Sequence, residues 1–169
     1  MPTLSGASIG ATFSALLLNT LDRRQAQDSL GFNPNYVFTD GNGANLAQQG
    51  FLDDRTLTAS SNESLDLAGG LSDGFGASIT FTKIKVLLIK AADTNVNDVL
   101  VGGAGSNGFV TPFGDPTDVI KVKPGGMLLL VAPDANGYGV TATTGDLLKI
   151  ANSAGGSAVT YTIALLGTL

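Results

Sequence analysis

Short apolar runs separated by turn residues fill the second half of the chain, and they constrain its fold more than any other feature. They are rich in Val, Ile, Thr and Phe, and each is bounded by Gly, Pro, Asn or Asp. The runs are Ile79–Lys90, Asp98–Val101, Val119–Lys123, Met127–Ala132, Gly139–Thr143, Leu147–Ala151 and Ala158–Leu166. This pattern is typical of β-strands joined by turns. It predicts an all-β chain: an antiparallel β-sandwich or jelly-roll-like module of roughly eight to ten short strands.

The acidic residues agree with this fold class. Of the 14 acids, only Glu63 is a glutamate and the others are aspartates. Aspartate favours turns and caps, whereas glutamate favours helix interiors, so the choice argues against a helical protein.

The first 35 residues differ from the rest and are predicted to be an N-terminal arm and loop, followed by one β-sandwich domain over residues 36–169. Apolar residues alternate along Leu4–Leu21, which favours an extended arm, although Leu16–Leu21 could instead start a helical turn. The polar stretch Asp22–Asn35, which contains Asn33-Pro34, predicts a loop. An arm of this kind could swap onto a neighbouring subunit.

Two local patterns in the sandwich lead to specific predictions. The apolar phase of Ile79–Lys90 changes, which indicates either a bulge near Lys83 or a strand covered on both faces. Pro124-Gly-Gly126 fits a tight turn, so Val119–Lys123 and Met127–Ala132 are expected to form a hairpin.

Charge and hydropathy indicate which partners the chain can have. Only 14% of residues are charged and mean hydropathy is +0.25, which suggests surface hidden against other subunits. An uncharged Ser, Thr, Asn and Gly surface is the alternative.

The net charge is −5 and the nine cations are scattered, which argues against phosphate-mediated nucleic-acid binding. No membrane partner is expected, because the longest apolar runs are too short to span a bilayer. The N-terminus lacks the basic start of a signal peptide, so synthesis in a cytoplasm is expected.

The chain has no histidine and no cysteine, which excludes Ser-His-Asp and Cys-His catalysis as well as the usual zinc sites. Gly6-Ala-Ser-Ile-Gly10 matches a nucleophile-elbow pattern, but no histidine base is present to activate Ser8. Gly103–Gly108 matches a dinucleotide-binding pattern, but the residues that follow, Phe109–Gly114, are not helical, so a flexible loop is expected. We therefore expect no catalytic residue, no cofactor and no enzyme activity.

Two groups of oxygen-bearing side chains deserve comparison with known sites. Asp93, Asn95 and Asp98 resemble the start of a calcium loop, yet the glycine and glutamate that an EF-hand requires are absent, so an Asx-rich turn is favoured over a looser calcium site. The pairs Asp53–Asp54 and Glu63–Asp66 resemble glycosidase carboxylates, but the chain has no Trp and only three Tyr to form a sugar platform.

Several collinear stretches resemble a group of small virion proteins of tailed bacteriophages. They cover about residues 40–169 and comprise Arg55–Lys85, Val101–Asn107, Phe113–Asp115, Val122–Gly126, Leu130–Ala135 and Thr144–Asn152. The resemblance implies a non-enzymatic virion structural protein.

Within that group, a capsid decoration (cement) protein on the capsid surface is expected. Such a protein is a homotrimer that stabilises the head by binding across major capsid subunits, and it is made in the bacterial host cytoplasm. A tail or baseplate component, or a receptor- or glycan-binding module, is the alternative. The segments Leu4–Leu21 and Ala158–Leu169 are the expected contacts with itself and with the major capsid protein or other virion proteins.

Overall fold

The computed structural model describes residues 3–169, and within this range the chain is all-β, with no helix. The strands in chain order are β1 (Ala7–Gly10), β2 (Phe13–Leu21), β3 (Arg24–Phe32), β4 (Asn35–Asp40), β5 (Leu46–Ala47), β6 (Gln49–Leu57), β7 (Asn62–Asp66), β8 (Ala68–Ser72), β9 (Ser78–Thr80), β10 (Lys83–Ala91), β11 (Val99–Gly102), β12 (Val119–Val122), β13 (Met127–Val131), β14 (Tyr138–Gly139), β15 (Leu147–Asn152) and β16 (Val159–Thr168).

Two antiparallel sheets make up the body. One has the strand order β13-β10-β16-β6, with β14 also paired to β10, and the other has the order β12-β11-β15-β7. The predicted all-β sandwich-type fold is confirmed, whereas jelly-roll connectivity stays a prediction. Three smaller sheets complete the described chain: β1-β4-β5, β2-β3 and β8-β9.

The main core lies between the facing sides of the two large sheets. Along β16, buried residues alternate with less buried ones, and Val159, Tyr161, Ile163 and Leu165 belong to the core. The opposite sheet contributes buried residues from β11, β15 and β7: Val99, Val101, Leu148, Ile150 and Leu65. Each fully buried aliphatic side chain of this kind stabilises the fold by roughly 1.5–3 kcal/mol.

The predicted long strand Ile79–Lys90 is divided in two. It forms β9 and β10, and the pairing of β10 with β16 shifts register between Ile84 and Val86. As a result Ile84 and Leu87 both enter the main core, while Val86 lies in a second buried cluster on the other face of the sheet. Both features that the sequence suggested, an irregularity and coverage on two faces, are therefore present.

The predicted hairpin between Val119–Lys123 and Met127–Ala132 is wrong. Strand β12 pairs with β11 in one sheet, whereas β13 pairs with β10 in the other. The tight turn does form, and the Gly126 amide donates to the Lys123 carbonyl at 2.7 Å. The turn carries the chain from one sheet to the other.

The predicted loop at Asp22–Asn35 is also wrong, as is the helical alternative for Leu16–Leu21. Strand β3 occupies Arg24–Phe32 and pairs along its whole length with β2, which includes Leu16–Leu21. The extended N-terminal arm is thus the first strand of a β-ribbon.

Candidate functional site

The N-terminal ribbon is one long antiparallel hairpin made of two parts. In the base half, β1 pairs with β4 from Ala7↔Phe38 to Gly10↔Asn35. In the distal half, β2 pairs with β3 from Phe13↔Phe32 to Leu21↔Arg24. The residue numbers of every pair add to the same total, so the register is unbroken across the junction.

The junction between the halves contains Pro34, which cannot donate a ladder hydrogen bond. The ladder continues there through the Ala11 amide, which donates to the Pro34 carbonyl at 3.2 Å. The Thr12 hydroxyl donates to the Asn33 side-chain oxygen at 2.9 Å. No free linker therefore separates the distal half from the base half.

The base half is anchored to the body by one apolar face. Phe38 is completely buried, and it shares a cluster with Val86 of β10. Partly buried side chains packed against this cluster come from both strands of the base half and from the sheet beneath: Ala7, Ile9, Tyr36, Leu129, Val131 and Leu166. The anchoring face carries the Ala7↔Phe38 and Ile9↔Tyr36 pairs.

The distal half continues this face but leaves it uncovered. Because side chains alternate along a strand, the face that holds Ile9 and Phe38 continues through the paired residues Phe13 and Phe32, then Ala15 and Leu30. Leu17 and Leu21 follow on the same face. Phe32 is 69% exposed and Leu17 56% exposed.

The opposite face of the distal half is also partly apolar. Leu16 and Leu18 project from it, and both are exposed. Their cross-strand partners are the polar residues Ser29 and Gln27. The two strands, about 30 Å long at roughly 3.4 Å per residue, thus expose apolar side chains on both faces.

A two-stranded hairpin without cover is marginally stable in water. Chains that fold alone rarely leave so many large apolar side chains together on the surface, and such patches mark interaction sites. The distal half, residues 13–32, is therefore the candidate functional site, which we call the distal hairpin.

A second apolar surface, partly exposed, lies on the outer face of the β13-β10-β16-β6 sheet. The base half of the ribbon covers the row that contains Val86 and Leu166. The next row across the same face is less covered, and its register partners are Leu52, Ala164, Leu88 and Leu129. Ala164, Leu88 and Leu129 are half-buried, and Leu129 also packs against the cluster under the base half. Leu52, on edge strand β6, is 73% exposed. We call these four residues the open row.

Of the four carboxylates compared with glycosidase pairs, Asp53 and Glu63 are tied to an arginine, whereas Asp66 accepts from the Ala68 amide at 2.8 Å. Arg55 donates from Nε and Nη2 to the Glu63 Oε2 atom at 2.8 and 2.5 Å, and from Nη1 to Asp53 at 2.7 Å. The Tyr161 hydroxyl donates to Glu63 Oε1 at 2.6 Å. We call Arg55, Glu63 and Tyr161 the clasp. Asp54 lies elsewhere, on the outward face of β6, where it accepts from Thr162.

The clasp joins the two large sheets at one open side, because β6 and β7 are edge strands of different sheets. Hydrogen bonds with Glu63 raise the pKa of the Arg55 guanidinium, and burial followed by the Glu63 contact raises the pKa of the Tyr161 hydroxyl. Both groups keep their protons over the physiological range. The arrangement therefore fixes the two large sheets together.

The oxygen-bearing side chains of the calcium-like segment are engaged separately. Asp93 accepts from Lys90 at 2.8 Å, which lowers the pKa of its carboxyl. The Asn95 side chain bonds both backbone groups of Thr160, and Asp98 accepts from Lys123 at 2.9 Å. Among residues 3–169, no cluster of three or more acidic side chains could hold a metal ion. The three side chains therefore bond three separate partners.

The glycine motifs also have local explanations. Ser8 lies in β1 opposite Val37, in the anchored part of the ribbon. Gly102 and Gly103 have φ angles of 106° and 67°, and a Cβ on Gly102 would lie 2.6 Å from the Asp118 carbonyl oxygen. Gly102 is required by this close backbone approach and Gly103 by its positive φ, and residues 103–108 do not start a helix.

One buried cation lies apart from these groups. Lys85 on β10 is completely buried, and its ammonium donates to the backbone carbonyl of Asp134. Burial lowers the pKa of this ammonium, and the nearby Asp134 charge only partly opposes the shift. The Asp134 carboxylate is itself held by the backbone amides of Asn136 and Gly137.

The second expected contact segment, Ala158–Leu169, is mostly structural. Strand β16 lies between β10 and β6, so its inward residues form the core. Only its outward residues, such as Ala164 in the open row, remain available to a partner. Sequence reasoning located one strand of the distal hairpin within Leu4–Leu21 but missed β3, whose signal was the spacing of Ala26, Leu30 and Phe32.

Across the described residues, no helix has the length and apolar character that a membrane span requires. No protein-family model, no curated protein and no solved structure matches the chain.

Proposed function

We propose that the chain is a non-enzymatic structural protein of a tailed-bacteriophage particle. More specifically, it is a capsid decoration protein that binds across neighbouring major capsid subunits. The observation that carries this proposal is the distal hairpin, which extends from an anchored base and exposes apolar side chains on both faces. A protein with this shape binds by inserting the hairpin against neighbouring subunits.

The rest of the described chain supports a structural role. Glu63 is held by Arg55 and Tyr161 in the clasp between the sheets, and the ammonium of the buried Lys85 donates to a backbone carbonyl. The body therefore serves as a rigid support that holds the ribbon in place. Decoration stabilises a head by burying apolar surface across subunit boundaries, for which the hairpin supplies the surface.

The test is to purify particles of the phage that encodes the chain, identify their proteins by mass spectrometry and locate this one by electron cryomicroscopy. Density that bridges capsid subunits on the head surface is the expected result. Density at the baseplate or tail tip would favour the tail-component or receptor-binding alternative. Absence from purified particles would overturn the proposal.

A matched pair of variants connects the hairpin to this function. Leu17→Asp places a charge on the anchoring face of the distal hairpin, and Val96→Asp places the same charge at another exposed apolar position, in a loop. Leu17→Asp should reduce occupancy on the particle, whereas Val96→Asp should not. Equal occupancy of the two variants would show that the hairpin does not attach the protein.

A further inference from the structure

The distal hairpin and the open row are two apolar surfaces of the same chain, and both contain exposed leucines. We propose that the distal hairpin of one copy packs its anchoring face onto the open row of a second copy. The inference rests on the proposed structural function, because it names the partner that the hairpin engages. It commits to another copy of this chain as the first neighbour.

The contact that the base half already makes with this sheet supports a second contact of the same kind. The ribbon already packs against this sheet in the base half, where Ile9 and Phe38 cover the row that contains Val86. The distal hairpin carries the same face, and the open row is the next row of the same sheet. An apolar hollow where Ile9 meets Ala164 borders the two rows. The second contact would extend a packing mode that the fold already uses.

Chain connectivity is the second argument. The ladder runs unbroken from the base half into the distal hairpin, and the Ala11 to Pro34 hydrogen bond closes the junction. The distal hairpin cannot turn back onto its own sheet without breaking this ladder. A second copy offers the same open row, and binding to it breaks no hydrogen bond of the ladder.

The size of the contact follows from the side chains on one face. Five exposed apolar side chains lie on the anchoring face of the distal hairpin: Phe13, Leu17, Leu21, Leu30 and Phe32. At roughly 100 Å² each they present on the order of 500 Å² of apolar surface. Stable interfaces bury about 800 Å² per partner, so this face supplies more than half of one.

Charge is compatible with the same partner. Residues 33–169 carry twelve acids against seven bases, whereas residues 13–32 carry Asp22 and Asp28 against Arg23 and Arg24 and have no net charge. No ion pair involves either arginine within residues 3–169. Asp54 is exposed on the same sheet face as the open row. An arginine at the tip can therefore pair with this carboxylate of a second copy.

The test is the sedimentation velocity of the full-length chain and three variants over a range of concentrations. Leu17→Asp alters the hairpin, Leu52→Asp alters the open row, and Val96→Asp is the control. The wild type and Val96→Asp should self-associate equally. Leu17→Asp and Leu52→Asp should each weaken self-association at least about tenfold, since each removes one buried leucine and buries a charge.

A mixture of the two weak variants gives the decisive result. The Leu17→Asp chain keeps its open row and the Leu52→Asp chain keeps its hairpin, so the mixture should form a one-to-one complex. If the mixture fails to associate while the wild type does, the hairpin of one copy does not bind the open row of another and the inference is overturned. If Leu52→Asp alone self-associates as strongly as the wild type, the hairpins pair with each other and the inference is also overturned. If the wild type stays monomeric throughout, the inference is also overturned.

The two proposals fail independently. A monomeric chain that is present on purified particles overturns the second-copy inference and leaves the structural function in place. A chain that self-associates as expected but is absent from particles overturns the structural function and leaves the hairpin contact in place.

Discussion

Replacing Glu63 with glutamine tests whether the clasp is structural. Glu63 accepts two hydrogen bonds from Arg55 and one from Tyr161, and its side chain is only 20% exposed. Glutamine keeps the shape and one acceptor oxygen but removes the charge. The Arg55 guanidinium then keeps only Asp53 as an ionic partner, at 2.7 Å.

The expected loss follows from these contacts. Hydrogen bonds to a charged group contribute about 1.5–3 kcal/mol, and the partial exposure of Arg55 and Glu63 reduces the total by solvent screening. We expect Glu63→Gln to lower the free energy of unfolding by about 2 kcal/mol. For a chain of this length that corresponds to a melting temperature about 4–8 °C lower.

The assay is thermal unfolding followed by circular dichroism, with Asp54→Asn as the control. Asp54 lies on the same strand but faces outward, so its replacement should change the stability by less than about 0.5 kcal/mol. Equal melting temperatures for wild type and Glu63→Gln would refute the structural reading of the clasp. Loss of a sugar-cleaving activity at unchanged stability would show that the carboxylate is catalytic instead.

Two further predictions concern buried positions. A Cβ on Gly167 would lie 2.2 Å from the Lys83 carbonyl oxygen, so Gly167→Ala should lower the free energy of unfolding, measured with denaturant, by about 3 kcal/mol. Gly50→Ala is the control, because the nearest contact of its Cβ would be 3.7 Å, and it should change the free energy of unfolding little. Equal effects of the two variants would refute the packing at Gly167. Burial lowers the pKa of the Lys85 ammonium below 10.5 in the folded chain. At alkaline pH below 10.5 the unfolded chain therefore binds more protons than the folded chain, and the free energy of unfolding should rise with pH there. Lys85→Met should remove this rise of the free energy of unfolding with pH. The measurement is made below pH 10, where the Tyr161 hydroxyl of the folded chain stays protonated. An unchanged slope of the free energy of unfolding against pH would contradict the burial of Lys85.

The sequence predicted the strand-rich body because its strands carry a strong local signal. The run Met127–Ala132 is apolar and bounded by Gly and Pro, and such runs can be recognised without knowing their partners. Pairing is a long-range property, so the same signal led to a wrong hairpin: β12 and β13 joined different sheets according to apolar faces that were distant in sequence.

The ribbon was harder to predict for a different physical reason. Strand β3 is mostly polar on one face and contains Gly31, so its local pattern resembles a loop. Its strand conformation depends on the cross-strand ladder with β2. The open row was equally hidden, because Leu52, Ala164, Leu88 and Leu129 meet only after four strands pair in register. The clasp likewise joins residues from three strands.

Hydrogen–deuterium exchange of the distal hairpin tests the central claim most directly, because a hairpin that depends on a neighbour is protected only when that neighbour is present. The Leu52→Asp variant is the best comparison, since its hairpin sequence is unchanged. In the associated wild type, amides of residues 13–32 should exchange slowly, as in the base half. In Leu52→Asp they should exchange fast while the base half stays protected. Equal exchange of residues 13–32 in the two proteins, whether fast or slow, would contradict the account.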